Sequence, residues 1–493
     1  MLKKEQRISV LNMSSDEFRK IGHRLIDQVA DYLGTIPNRP VTTGETPTEI
    51  KSLLGQRSLP ENGSDAGHLL IETASMLIDH SLFNGHPRFW GYITSSAAPI
   101  GILAELLAAA INPNVGAWSL SPVASEIEQQ SIQWIAEMVG FPSDCGGVLV
   151  TGGNMANFVG FLAARYAKSR KKSVYDLRSL RLYASEETHT WIHKAVDMYG
   201  LGKESVRWIR TDSHRKIDLE ILRNSIQNDL KEGLNPFLVI GTAGSVSTGV
   251  VDPLPELSKI CKEFDMWFHV DGAYGAFAAA LPDASPDLKG LNKADSVALD
   301  PHKWLYAPLE AGCALVRNVT ILRDTFSYHP PYYKFEEVKG EPAISFVDYS
   351  PQNSRGFRAL KVWLALNHAG RNGYIKMISD DIDLAARLYE IIKKTPDLEA
   401  FTQNLSITTF RYAPATAYMR AEERETYLNE LNTALLTRLQ EGGEAFVSNA
   451  VIDGTYLLRV CIVNFRTDLN DIEALPEIIL RLGKEVEAEM TNL

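Results

Sequence analysis

Apolar positions near the start of the chain recur at helical intervals. Phe18, Ile21, Leu25, Val29 and Tyr32 follow one another at three- and four-residue steps. Just before them, Ser14-Ser15-Asp16-Glu17 has capping-box spacing, so an ordered helix is expected to open there. One face of that helix is apolar and must cover something, either the chain's own core or a second subunit. Residues 35–66 are rich in Pro, Gly, Thr and Ser and read as loop with a short helix.

From about residue 80 the pattern changes. Short apolar runs alternate with longer helical stretches, which predicts an α/β domain with a mainly parallel sheet. Strands are expected at 147–150, 237–240, 267–270, 296–299 and 314–316, and a helix at 157–166. After Arg355 a helical stretch leads into a smaller α+β pattern. Its strands are expected at 405–412 and 456–463, its helices at 421–441 and 471–490. The expected organisation is a helical segment over 1–80, a large α/β domain over 81–370 and a small C-terminal α+β domain over 371–493.

Composition narrows this little but usefully. At roughly 150 residues per domain, the length of 493 corresponds to about three units. Hydrophobic residues at 45% and charged residues at 23% are ordinary globular usage, which argues against a disordered or fibrous chain. The net charge of −11 argues against nucleic-acid binding through a global positive field, but leaves room for a local phosphate pocket. The four cysteines, at 145, 261, 313 and 461, have no CxxC spacing and fit reduced thiols. No run reaches the roughly 18 apolar residues of a membrane span, and the first twenty residues lack a signal-peptide core. The cytoplasm is therefore the expected compartment.

Candidate chemistry gathers where expected strands end, which is where open α/β sheets place their sites. The strand WFHV runs into Asp271-Gly272-Ala273-Tyr274, and SVALD runs into Pro301-His302-Lys303-Trp304. The strand GVLV runs into Thr151-Gly152-Gly153-Asn154-Met155-Ala156-Asn157 and a helix start. A lysine in such a cleft can form a Schiff base with a carbonyl cofactor. Pyridoxal phosphate also needs an acid to keep its ring nitrogen protonated, and backbone N–H groups for its phosphate. Taken singly, each feature has a plainer reading: a surface lysine, a capping aspartate, a common glycine pair. The combination in this order carries the signal.

These motifs, with HPRFWGYITSS, GGNMAN, THTWIHKA, NSRGFRALKVW and LLRVCIV in the same order, resemble the group II pyridoxal-phosphate-dependent amino acid decarboxylases. The resemblance spans nearly the whole chain and is greatest to the aromatic-L-amino-acid decarboxylase branch. It implies a fold-type I, aspartate-aminotransferase-like large domain with a seven-stranded sheet, a homodimer embraced by the N-terminal segment, and pyridoxal 5'-phosphate as cofactor. Lys303 would carry the cofactor, Asp271 would meet its ring nitrogen, and Ala273 and His189 would pack on its two faces. A zinc pair of His189 and His193 is the plainer alternative, but no third ligand at a metal spacing supports it. His302, Asn154, Met155 (through its backbone) and Ser245 would hold the phosphate. Asp300 departs from relatives that carry Asn there. A carboxylate would repel the phosphate, so it must point away or pair with a cation.

Tyr332, in the aromatic segment 326–334, stands at the position of the family's loop tyrosine, which delivers a proton to carbon. With both Tyr332 and His189 present, an amine product is favoured over an aldehyde. Tyr92 and Ile93 align with pocket residues, and Val115 and Ala117 with residues that enter from the partner subunit. Ala117 replaces a Phe, and Asn84 a Trp, of animal relatives. Arg459 matches an arginine that meets the substrate carboxylate in glutamate-type relatives, and is equally readable as structural. No extra Arg or Lys in these segments answers a side-chain carboxylate. Decarboxylation of an aromatic L-amino acid is therefore expected. An acidic substrate and an aldehyde synthase are the rivals within the fold, and a non-catalytic cofactor-binding scaffold is the rival outside it.

Overall fold

The N-terminal apolar stripe forms a helix, α1 (Ser15–Thr35), which starts where Ser14 Oγ accepts the Glu17 amide at 3.2 Å. The structure is a computed structural model that describes residues 9–55, 58–170, 176–330, 337–338, 340–415 and 420–491. No residue of α1 is fully buried within the chain, and Phe18 is 60% exposed. Helices α2 (Pro47–Leu54), α3 (Ala66–Asp79), α4 (Pro99–Ile111) and α5 (Pro122–Met138) follow.

The α/β alternation then runs β1 (Gly146–Val150), α6 (Gly153–Arg165), β2 (Leu180–Ser185), α7 (Trp191–Met198), β3 (Val206–Ile209), α8 (Leu219–Lys231), β4 (Asn235–Thr242), α9 (Leu254–Glu263), β5 (Trp267–Asp271), β6 (Ser296–Leu299) and β7 (Gly312–Val316). The sheet order is β1-β7-β6-β5-β4-β2-β3. Only β7 runs antiparallel to its neighbours, β1 and β6. The other pairings are parallel, so the sheet is mainly parallel. The connection 300–311 is a tight turn rather than a helical crossover, so β7 returns antiparallel. That same turn carries Lys303.

Strands β1, β2, β5, β6 and β7 are buried along their whole length, and β1, β5, β6 and β7 accordingly read as short apolar runs. Helix α6 sits close on the sheet at Gly160. A Cβ there would lie 2.6 Å from His269 Cε1 on β5. Behind β1, the fully buried Glu128 on α5 pairs with Arg355. Glu128 accepts the Leu149 amide at 3.0 Å, and Arg355 donates to the Val115 carbonyl at 2.8 Å. The ion pair thus ties α5, β1 and the segments around Val115 and Arg355 together.

The C-terminal part contains α10 (Val319–Phe326), the two-residue strands β8 (Glu337–Val338) and β9 (Glu341–Pro342), and the long α11 (Ala359–Lys394). Beyond them lie β10 (Leu398–Asn404), β11 (Ile407–Tyr412), α12 (Ala421–Gly442), β12 (Ser448–Ile452), β13 (Thr455–Cys461) and α13 (Leu469–Thr491). Helix α11 breaks at Gly370, where φ is 65° and ψ 169°. It packs on α4 and α5 at one end and on β10 and β11 at the other. The second sheet, β10-β11-β13-β12, is antiparallel and has its own core, with Leu428, Leu435 and Ile479 fully buried.

Besides the two-residue β8 and β9, four strands are not legible in the chain's pattern: β2, β3, β10 and β12. Arg181 interrupts β2 and Arg207 interrupts the four-residue β3, β10 carries polar residues at half-exposed positions, and the five-residue β12 alternates buried and exposed positions and opens on two polar residues. Burial by neighbouring elements, not local apolarity, makes them strands. The strand expected from 405 starts at Ile407, because Leu405 takes a left-handed turn conformation with φ 46°.

Candidate active site

Three strand ends meet at one cavity of about 370 Å³. Register aligns Thr242 of β4, Asp271 of β5 and Ala298 of β6, so Asp271 stands at the sheet's carboxyl edge. The first α6 hydrogen bond runs from the Ala156 amide to Gly152 O at 3.0 Å. The amides of Gly153, Asn154 and Met155 therefore have no helical acceptor and form an anion cradle. Gly152, at φ 116°, needs the freedom of glycine. A Cβ at Gly153 would meet Asp300 Oδ2 at 2.6 Å.

The turn after β6 is held by its own backbone. The Lys303 amide donates to Asp300 O at 2.8 Å and the Tyr306 amide to Lys303 O at 3.0 Å. Ser95 Oγ donates to His302 O at 2.7 Å. The Lys303 amine lies 3.1 Å from Asp300 Oδ2. Asp300 is 2% exposed, and its Oδ1 is buried without a partner among the described residues. The carboxylate thus pairs with the cation the turn provides.

Asp271 is fixed from behind. Its Oδ2 accepts the Trp191 indole N–H at 2.8 Å and its Oδ1 the Ala273 amide at 3.2 Å. His189 stands at the open side of the cavity, and its Nδ1 accepts the Trp191 amide at 3.3 Å, which leaves the neutral ring's proton on Nε2. Burial holds the His189 pKa below the ordinary histidine value, so the ring is neutral near pH 7. His302 donates from Nδ1 to Ala311 O at 2.7 Å, and its Nε2 stands 3.7 Å from Asp300 Oδ2. Burial lowers its pKa as well.

The cavity brings together Ile93, Asn154, His189, Asp271, Ala273, His302 and Lys303. The other expected residues lie elsewhere. Met155 packs its side chain against the core. Ser245 is buried beside Thr248, its Oγ 2.9 Å from Thr248 Oγ1, while its neighbours Gly244 and Val246 line the cavity. Tyr92 is 56% exposed at φ 53°, with its amide bonded to Ser448 Oγ at 3.1 Å. Val115 and Ala117 are buried in their own chain and do not line its cavity. Arg459 is buried behind the wall. It donates to Val246 O and to Ser448 Oγ, the latter at 2.8 Å from Nη2. These partners fit the structural reading of that arginine. Tyr332 lies outside the described residues. The segment leading to it includes His329, whose Nε2 is 2.8 Å from Asp348 Oδ1.

Sequence reasoning missed Trp191, although it sits two residues after His189 in the THTW motif. It also missed Val246, Leu309 and Glu310 on the cavity wall. No local pattern marks them, because they reach the site from loops that only the folded sheet gathers.

A free amide cradle, an acid at a strand end and a lysine in one cavity suit a phosphorylated pyridine aldehyde. The chain matches the pyridoxal-dependent decarboxylase conserved domain over residues 47–413. It is 33% identical to an aromatic-L-amino-acid decarboxylase of Bacillus atrophaeus over 477 residues, 97% of each chain. It is 30% identical to a phenylacetaldehyde synthase of a Rosa hybrid cultivar, over 91% of this chain and 90% of that one. The solved structure of Oryza sativa TDC with PLP and tryptamine superposes with a TM-score of 0.89 at 27% identity, covering 97% of this chain and 99% of that one.

Proposed function

The chain belongs to the pyridoxal-dependent decarboxylase family, and from that premise we propose that it converts an aromatic L-amino acid to the corresponding amine and carbon dioxide, with pyridoxal phosphate as cofactor. The observation that carries this reading is the convergence of Lys303, Asp271 and the Gly152-Gly153 turn on one cavity. Bound pyridoxal phosphate supplies an electron sink for the pair released when the carboxylate leaves.

The chain's own residues do the rest. Lys303 would hold the cofactor. Asp271, already held by the Trp191 and Ala273 N–H groups, would meet the ring nitrogen with its remaining lone pairs. The amides of Gly153, Asn154 and Met155, with His302, would hold the phosphate. His189 and Ala273 are the residues that would pack on the ring faces. Tyr332 is assigned, by family resemblance, the proton delivered to the α carbon.

Substrate class follows from charge. Among the described residues, Lys303 is the only Lys or Arg lining the cavity, while Ile93, Val246 and Leu309 give apolar wall. A side-chain carboxylate finds no free cation there, whereas a phenol or indole does not need one. The homodimer is part of the same reading. Phe18 of α1 and Leu103, Leu106 and Ile111 of α4 are each at least half exposed, an apolar surface that a second copy would cover.

The test is a panel of Trp, Tyr, Phe, Dopa, His, Glu and Asp given to the holoenzyme, read as carbon dioxide and amine. Aromatic substrates are expected to lead. Glutamate as best substrate would overturn the assignment, as would full activity in Lys303→Ala.

A further inference from the structure

The turn that presents Lys303 is gripped from outside the sheet by one buried acid. Trp304 follows the lysine directly, and its indole N–H donates to Asp381 Oδ2 at 2.8 Å. The Tyr306 hydroxyl donates to the same oxygen at 2.7 Å. Trp304, Tyr306 and Asp381 are 0%, 1% and 2% exposed. Tyr306 holds φ at 51°, a left-handed conformation that a bulky residue adopts only when its surroundings impose it.

Asp381 lies on the half of α11 that leads to the second sheet. Seven residues earlier on the same helical face, Tyr374 donates its hydroxyl to Leu305 O at 3.0 Å. The Asn464 backbone, just past β13, also hydrogen-bonds Asp381. The turn is therefore tied to α11 at two points, and through Asp381 to the C-terminal sheet. On its other side Trp304 stacks on Tyr274, with centroids 4.7 Å apart, and the Tyr274 hydroxyl meets Ser406 Oγ at 2.6 Å.

No cation lies within ion-pair distance of Asp381 among the described residues. A buried carboxylate without a counter-ion is costly, and a well-packed apolar residue would serve packing alone better. Burial pushes its pKa up to about 7, against the pull of the Tyr306, Trp304 and Asn464 hydrogen bonds. Of the three hydrogen bonds it collects, two come from side chains of the turn that carries Lys303.

We propose that Asp381 is a positioning residue for the reactive amine: through Trp304 and Tyr306 it sets the turn that presents Lys303, and so couples that amine to the seating of the C-terminal unit. This rests on the reading of Lys303 as the cofactor-bearing lysine. Asp381 touches neither substrate nor cofactor and acts through the turn. A displaced amine loses alignment with its reaction partner, and misplacement by about 1 Å is worth on the order of a hundredfold in rate.

The test compares wild-type holoenzyme with Asp381→Ala, Asp381→Asn and Tyr306→Phe. The readouts are kcat and KM, visible circular dichroism of the bound cofactor, and borohydride fixation of the cofactor to the peptide containing Lys303. Asp381→Ala is expected to lose about tenfold or more in kcat with KM little changed, and to lose cofactor dichroism and fixation rate. Asp381→Asn keeps a carbonyl acceptor and should recover most of both; Tyr306→Phe should fall between. Wild-type kcat and dichroism in Asp381→Ala would overturn the proposal, and so would a folded variant that is slower with unaltered cofactor dichroism. Should Asp381→Ala fail to fold, the other two decide: Tyr306→Phe indistinguishable from wild type in both readouts overturns it. Wild-type enzyme that fixes no cofactor at Lys303 would instead sink the underlying lysine assignment.

Discussion

The Asp300 carboxylate lies 3.1 Å from the Lys303 amine, at the mouth of the amide cradle that opens α6. The sequence left open whether an acid at this position points away or pairs with a cation, and the structure pairs it with the lysine. An anion held beside a phosphate cradle still opposes the phosphate. Asp300→Asn is therefore expected to bind pyridoxal phosphate several-fold more tightly, measured by titrating apoenzyme and following the visible band. Weaker binding in this variant would make the carboxylate part of the cradle instead.

The indole of Trp191 reaches Asp271 from the edge of the site and packs edge-on against His269, with centroids 5.9 Å apart. Trp191→Phe keeps an aromatic ring and removes the donor. Loss of a hydrogen bond to a buried charged group costs about 1.5–3 kcal/mol. The variant should lose that much unfolding free energy in denaturant, and its kcat/KM should fall about tenfold if Asp271 has the role proposed for it, because the acid would no longer be fixed by the indole.

His269 is fully buried and satisfied as a neutral ring. Its Nε2–H donates to Asn157 Oδ1 and its Nδ1 accepts from Ser296 Oγ, both at 2.8 Å. Burial depresses its pKa from 6.5 to about 4. The unfolded chain therefore takes the proton first, so this stability is complete above about pH 6.5 and is lost as pH falls towards 4. The linkage amounts to about 3 kcal/mol. Asp252 and Asp381, whose carboxyls burial pushes up to about 6 and about 7, act with the opposite sign. The His269 part is isolated as the difference between wild type and His269→Gln: as pH falls from 7 to 4.5, the wild-type unfolding midpoint should drop relative to that of the variant.

Tyr332→Phe leaves the cavity's cofactor-holding groups untouched and removes the phenol assigned to protonation. The expected outcome is a shift of product from amine towards aldehyde and ammonia, with cofactor content unchanged. Amine yield equal to wild type would remove Tyr332 from that role.

Much of the site was legible because each of its main parts is local. An apolar strand followed at once by Asp271, by the Gly152-Gly153 turn or by His302-Lys303 is a contiguous pattern, and parallel strands deliver such ends to one edge of a sheet. The β6-to-β7 turn was visible as a motif, though its consequence, an antiparallel β7, was not.

The contacts that set those groups in place were beyond any local pattern. Trp191 meets Asp271 across 80 residues of chain, and Trp304 meets Asp381 across 77. Arg459 showed the same limit in reverse: its motif suggested a substrate carboxylate, and its partners proved to be a wall carbonyl and Ser448. Residue type and spacing specify which chemistry a strand end can offer. Which donor a buried carboxylate receives depends on helices packed from distant parts of the chain, because a desolvated charge takes whatever partner the tertiary fold places beside it.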